Sequence, residues 1–121
     1  MENFLHLSPE KILYQDEYFF IILDANPVSP GHMLVISNEL RKDFFELTKE
    51  ERVGLENTIL KAKELISEQY TPDGYNIGMN CGTAAGQTVF HFHCHIIPRY
   101  TGDTPHSRGG VRHVIEGKGN Y

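Results

Sequence analysis

The sequence predicts a single α+β domain, an antiparallel sheet of about five strands carrying one long helix and one short one. Two observations carry that prediction. Apolar runs of strand length follow one another with only turns between them, and a single segment shows helical periodicity, so strands pair with strands rather than alternate with helices. At 121 residues the chain is long enough for one packed core and too short for two.

Taken in order, Ser8-Pro9-Glu10 puts a capping residue before a proline at the first helical position, which predicts a short helical turn. Residues 18–23 are aromatic and β-branched, as in a buried strand. They run into the loop 24–31, punctuated by Pro27 and Pro30, and residues 32–36 return as the second strand of a hairpin. Thr48-Lys49-Glu50-Glu51 is a capping box, with a hydroxyl for the first turn and a carboxylate that reaches back. The helix it opens is expected to run to about Gln69. Leu55, Ile59, Ala62 and Ile66 form one apolar stripe along it. After a turn at 71–74, residues 75–80 and 90–99 are the third and fourth strands.

Composition excludes several classes of function. Hydrophobic residues make up 40% and charged residues 22%, ordinary values for a globular protein. No stretch approaches eighteen consecutive apolar residues, so no transmembrane helix and no membrane partner are expected. The segment Met1 to His6 has no basic, apolar signal pattern, and no secretory signal is expected. Cys81 and Cys94 form neither a metal-binding pair nor a disulfide framework, which fits a reducing cytoplasm. A net charge of −5 argues against nucleic acid as a partner.

Chemistry enters at His91-Phe92-His93-Cys94-His95. Alternate side chains of a strand share a face, so the three imidazoles point one way while Phe92, Cys94 and Ile96 point towards the core. Neighbouring imidazoles then stand roughly 6.5–7 Å apart, twice the strand rise. A polar strand face with incidental histidines is the bland account, and strict alternation gives it no packing rationale. Two active accounts remain open: a zinc site, since imidazoles are good ligands, and a catalytic row of nucleophile, donor and acid. Zinc-bound histidines want carboxylates behind them, and no Asp or Glu lies between Gly74 and Tyr100, which tilts the balance towards catalysis. The preceding loop, Asn80 to Thr88, is rich in small residues that let backbone N–H groups approach an anion.

Three ordered motifs make the sequence specific: Pro30-Gly31-His32-Met33-Leu34-Val35-Ile36, then Asn80 with Ala85-Gly86-Gln87-Thr88-Val89, then His91, His93 and His95 followed by Ile96-Ile97-Pro98-Arg99. Together they resemble the histidine triad (HIT) family of nucleotide hydrolases and transferases, over roughly residues 4–100. The absence of tryptophan and the run Ile97-Pro98-Arg99-Tyr100 resemble the branch with dinucleoside polyphosphate hydrolases more than the phosphoramidase branch. The resemblance implies a HIT-like fold, a homodimer and a purine nucleotide substrate. It implies that His93 attacks the α-phosphorus and forms a nucleotidyl-histidine, with its other ring nitrogen held by a backbone carbonyl of the same strand. His95 would serve the leaving group, and His91 and His32 would form a supporting relay behind the nucleophile. Asp24 would hold the ribose, Leu23 and its neighbours would wall the base and Asn80 would reach the ribose and phosphate. The backbone around Gly86, Gln87 and Thr88, with the Thr88 hydroxyl, would hold the phosphate oxygens. No metal is required for the nucleophile, and Mg²⁺ accompanying a polyphosphate substrate is compatible. A phosphoramidase, and a nucleotide- or zinc-binding module with little turnover, stand as alternatives.

The last segment, 101–121, is rich in glycine and proline, with Arg108, Arg112 and Lys118 among them. It is expected to dock on its own domain or on a partner subunit; its cations either reach the distal phosphates or the leaving nucleotide, or stay solvated on a loop that hugs the surface.

Overall fold

The computed structural model describes residues 3–119 and 121; Met1, Glu2 and Asn120, which the expected 1–121 domain and the reading of the N-terminus include, lie outside the described residues. Five strands form one antiparallel sheet: β1 (Tyr14–Gln15), β2 (Phe19–Leu23), β3 (Met33–Ser37), β4 (Gly74–Gly78) and β5 (His93–Arg99), in the spatial order β1-β2-β3-β5-β4. The long helix, α1 (Lys49–Ser67), covers one face. The short helix is a 3-10 turn at Pro9–Lys11, set by the proline, since Ser8 makes no side-chain cap bond.

The capping box of α1 forms as read. Glu51 N–H donates to Thr48 Oγ1 at 3.1 Å, and Thr48 N–H donates to Glu51 Oε1 at 2.7 Å. The helix stops two residues early because its last amides, Gln69 and Tyr70, both turn onto the Ile66 carbonyl and tighten the final turn. Leu55, Ala62 and Ile66 are buried and Ile59 is half-buried. Thr58 joins this face with its hydroxyl donating to Asp16 Oδ2 at 2.6 Å, which ties the helix to the turn before β2.

Alternation along the central strands divides two clusters. Phe19, Ile21, Met33, Val35, Phe92, Cys94 and Ile96 pack beneath α1. Phe20, Ile22, Leu34 and Ile36 face the other way and are met by Phe4 of the N-terminal segment. Both faces being covered explains why β2 and β3 read as unbroken apolar runs. Cys94 behaves as a small core hydrophobe, its thiol pushed up to about 12 by burial.

The strand boundaries correct the sequence reading in three places. β1 was not foreseen, being two residues paired as Tyr14 with Ile21 and Gln15 with Phe20, too short to show a period. β4 ends at Gly78 and leaves Asn80 in the loop. β5 begins at His93 rather than at residue 90, because Phe92 N–H turns out of the sheet to the Arg41 carbonyl at 2.6 Å.

At the end of β5, Arg99 makes two bonds to Asp103 and one to Asn76. The following segment bonds mainly to itself, as in Arg112 Nε to the Lys118 carbonyl, and Gly110 lies against Asn76. Among the described residues, no helix is long and apolar enough to cross a membrane.

Candidate active site

β3 and β5 pair Ile36 with His93 and Leu34 with His95, so the imidazoles rise from the face opposite α1. They form the floor of a cavity of about 680 Å³, a size suited to a small molecule. Its apolar walls include Phe4, Ile22, Leu23, Leu34 and Val89, and its polar groups include Asp24, Thr88, His93 and His95.

Each histidine has a different setting. His91 is fully buried: Phe4 N–H donates to its Nδ1 at 3.0 Å, so its proton sits on Nε2 and is donated to the Ser37 carbonyl at 2.8 Å. His93 donates from Nδ1 to the His91 carbonyl at 2.8 Å, leaving Nε2 with its lone pair. The Phe4 ring stands edge-on to the His93 ring, 5.1 Å between centroids.

The second pair is built from side chains. His32 is buried, and its Nδ1 accepts Val28 N–H at 3.1 Å, which places its proton on Nε2. That proton is shared with His95 Nδ1 at 2.9 Å, so His95 carries its own proton on Nε2. Asp24 Oδ2 lies 3.4 Å from His32 Nε2 and 3.9 Å from His95 Nδ1. Burial, then the neighbouring His93 and His32, push the His95 pKa down to about 4 against the opposing pull of Asp24. Burial likewise lowers the pKa of His32 against the pull of Asp24, and that of His91 against the bond to the Ser37 carbonyl.

Several sequence expectations meet a different placement. The histidine row does have a carboxylate beside it: Asp24 arrives from the end of β2, outside the 74–100 stretch. His32 backs His95 rather than the proposed nucleophile, while His91 meets His93 through its carbonyl and not its ring. Gln87 is buried, and its amide is fully engaged with Gly82 N–H and the carbonyls of Lys42 and Val89. The amides of Gly86 and Gln87 bond within the turn, to Thr83 and Gly82, whereas Thr88 lines the cavity. Gly86 is needed there for its positive φ of 94°. Asn80 is exposed beside Gly86 and does not line the cavity. No described residue of 104–119 lines it either, so within one chain Arg108, Arg112 and Lys118 stand away from the imidazoles.

Phe4 and Leu34 are wall residues the sequence reading passed over, while Ile22 was included only as a neighbour of Leu23. For the two strand residues the signal was present, since period-two alternation puts both on the imidazole face.

Asp24, His32 and His95 offer three ligand atoms within 4.8 Å of one another, the one such group among the described residues. The group fits a metal ion poorly. A metal needs the His32 Nε2 lone pair, and the Val28 N–H aimed at Nδ1 holds a proton there instead.

Comparison with known proteins places this geometry. The family model described as "HIT domain" matches residues 6–102. An uncharacterised HIT-like protein of Methanocaldococcus jannaschii is 41% identical over 95 residues, covering 78% of this chain and 73% of its own. The bis(5'-adenosyl)-triphosphatase of Dictyostelium discoideum is 36% identical over 93 residues, 77% of this chain. The chain spans 62% of that enzyme's length. The crystal structure of a HIT family protein from Bacillus anthracis superposes with a TM-score of 0.72 at 40% identity, over 77% of this chain and 66% of that one.

Proposed function

Because the chain belongs to the HIT domain family, we propose that it hydrolyses a dinucleoside polyphosphate-type purine nucleotide at the α-phosphate, through a nucleotidyl-His93 intermediate. One observation supports this most: the Nδ1–H of His93 is held by the His91 carbonyl, which leaves Nε2 as an unprotonated nucleophile at the cavity. The kinship with bis(5'-adenosyl)-triphosphatases supports the substrate class.

The residues divide the work as follows. Ile22, Leu23 and Leu34 wall the base, and Asp24 at the rim accepts from the ribose hydroxyls. Thr88 donates to phosphate oxygens, while Gln87 and Gly86 shape the turn that presents it. The His93 Nε2 lone pair forms the bond to phosphorus as the bond to the bridging oxygen breaks. That electron pair leaves with the oxygen, whose developing charge accepts a hydrogen bond from His95 Nε2–H. The nucleotidyl imidazolium keeps its Nδ1–H on the His91 carbonyl. Water then attacks phosphorus, the electron pair returns to His93 Nε2, and the water proton passes to solvent.

The experiment is a chromatographic panel of diadenosine tri- and tetraphosphate, adenosine phosphoramidate and an adenylyl sugar, run with wild type and His93→Ala. AMP released by wild type and lost in the variant is the expected result, with the polyphosphates fastest and a chelator without effect. Intact AMP binding without turnover of any substrate overturns the hydrolase reading.

A further inference from the structure

One peptide unit links the proposed nucleophile to a surface-proximal ion pair. The carbonyl of the His91–Phe92 peptide accepts the His93 Nδ1–H at 2.8 Å. The N–H of the same peptide donates to the Arg41 carbonyl at 2.6 Å. Arg41 in turn is pinned by its side chain: Nε donates to both oxygens of Glu51, at 3.0 and 3.2 Å. Glu51 is 2% exposed and cannot wander, since it also closes the capping box of α1. The peptide plane that fixes the His93 tautomer is therefore clamped from behind by the first turn of the helix.

We propose that Arg41, held by Glu51, is a positioning residue for His93. This rests on the reading of His93 as the nucleophile. Hydrogen bonds in series polarise one another, so a peptide whose N–H is bonded has a more strongly accepting carbonyl. The bond that carbonyl accepts from His93 Nδ1–H both orients the ring and favours the tautomer with the lone pair on Nε2. The segment between β3 and α1 gives this clamp a wider grip. Ser37 takes the His91 Nε2–H and Lys42 takes the Gln87 amide, so this one stretch of main chain holds both the triad and the phosphate turn. One contact then fixes the stretch to the helix, Arg41 to Glu51, while Lys42 N–H to Glu46 Oε1 at 2.6 Å ties it to the 3-10 turn Phe44–Glu46 that leads into α1.

Arg41 is half-buried and absent from the cavity lining, so its effect on turnover has to act through the peptide. The test compares Arg41→Ala, Arg41→Lys and Glu51→Gln, using steady-state kinetics on diadenosine triphosphate and the imidazole nitrogen spectrum of isotope-labelled histidine. For Arg41→Ala, kcat is expected to fall between about ten- and a hundredfold with KM within about twofold, the scale of a slightly misplaced reacting group. The His93 nitrogens should shift from one tautomer to a mixture of two. Arg41→Lys, which keeps a cation opposite Glu51, should recover much of the loss. Glu51→Gln should move both readouts in the same direction as Arg41→Ala, because the amide still caps the helix while losing its charge. A variant with lowered melting temperature but unchanged kcat and unchanged His93 tautomer overturns the proposal and leaves a purely structural ion pair. The spectrum separates this from failure of the parent reading. A wild type that turns nothing over while Arg41→Ala still disturbs the His93 tautomer refutes the hydrolase and keeps the clamp.

Discussion

The two imidazole pairs of the cavity solve the same problem with different parts. His93 is oriented by main chain: a carbonyl of its own strand takes its Nδ1–H, and that carbonyl belongs to His91, itself held by the Phe4 amide and the Ser37 carbonyl. His95 is oriented by side chains, with His32 behind it and Asp24 alongside. In both pairs one nitrogen is fixed so that the other is defined at the cavity. The outcomes are opposite, a lone pair on His93 and an N–H on His95, as a nucleophile beside a hydrogen-bond donor requires. Side chains can be substituted and carbonyls cannot, so the His95 pair can be dissected directly and the His93 pair through its supports.

The largest difference is expected from His95→Phe. Removing the donor should lower kcat about a hundred- to ten-thousandfold on diadenosine triphosphate. The loss should shrink sharply for an AMP ester with a nitrophenol leaving group. An equal loss on both substrates breaks the assignment of donor to His95. Next in size is His91→Ala, which leaves Phe4 N–H and the Ser37 carbonyl without their buried partner. Denaturant titration should show a cost of about 3 kcal/mol or more, at roughly 1–3 kcal/mol for each stranded group plus the lost ring packing. A smaller effect belongs to His32→Ala, where His95 loses the partner that fixes its tautomer. A fall in kcat of about tenfold, with the His93 tautomer unchanged in the imidazole nitrogen spectrum, sharpens the contrast between the pairs. A loss as deep as that of His95→Phe places His32 in direct contact with substrate instead.

The gentlest effect is on pH. His32, His91 and His95 all have pKa values lowered in the folded protein, so the unfolded chain binds their protons first as pH falls. Their contribution is constant above the ordinary histidine range and is lost as pH drops through about 6.5, with the His95 part declining until about 4. Each group contributes a slope of at most about 1.4 kcal/mol per pH unit. Melting temperature should therefore fall steadily over that interval, and His32→Ala should flatten part of the decline. A profile that is level down to pH 4 contradicts the neutral, buried assignment.

What the sequence made legible follows from periodicity. Phe92, Cys94 and Ile96 lie in the core and His93 and His95 on the other face, as alternation demands, while His91, just before β5, is held by its bond from Phe4 N–H. The capping box and most of the α1 stripe were readable because they depend on residues three and four apart. Features that depend on distant segments were not readable. Asp24 reaches the histidines only because the β2–β3 hairpin carries it over β5, and a search confined to the neighbouring sequence missed it. Gln87 entered the phosphate loop through the family resemblance alone, which says nothing of where its side chain points. Here it turns inward to the Lys42 carbonyl, a partner 45 residues away. Arg41 belongs to no motif of the sequence, and no local pattern shows that its carbonyl meets Phe92 N–H.

The central claim, attack by His93 on phosphorus, has a stereochemical consequence that does not depend on trapping an intermediate. Hydrolysis of a substrate with a chiral phosphorothioate at the α-position, in isotopically heavy water, reports the configuration at phosphorus in the product. Two successive displacements, first by His93 and then by water, predict net retention. Net inversion means that water attacks the substrate directly, and it contradicts the account.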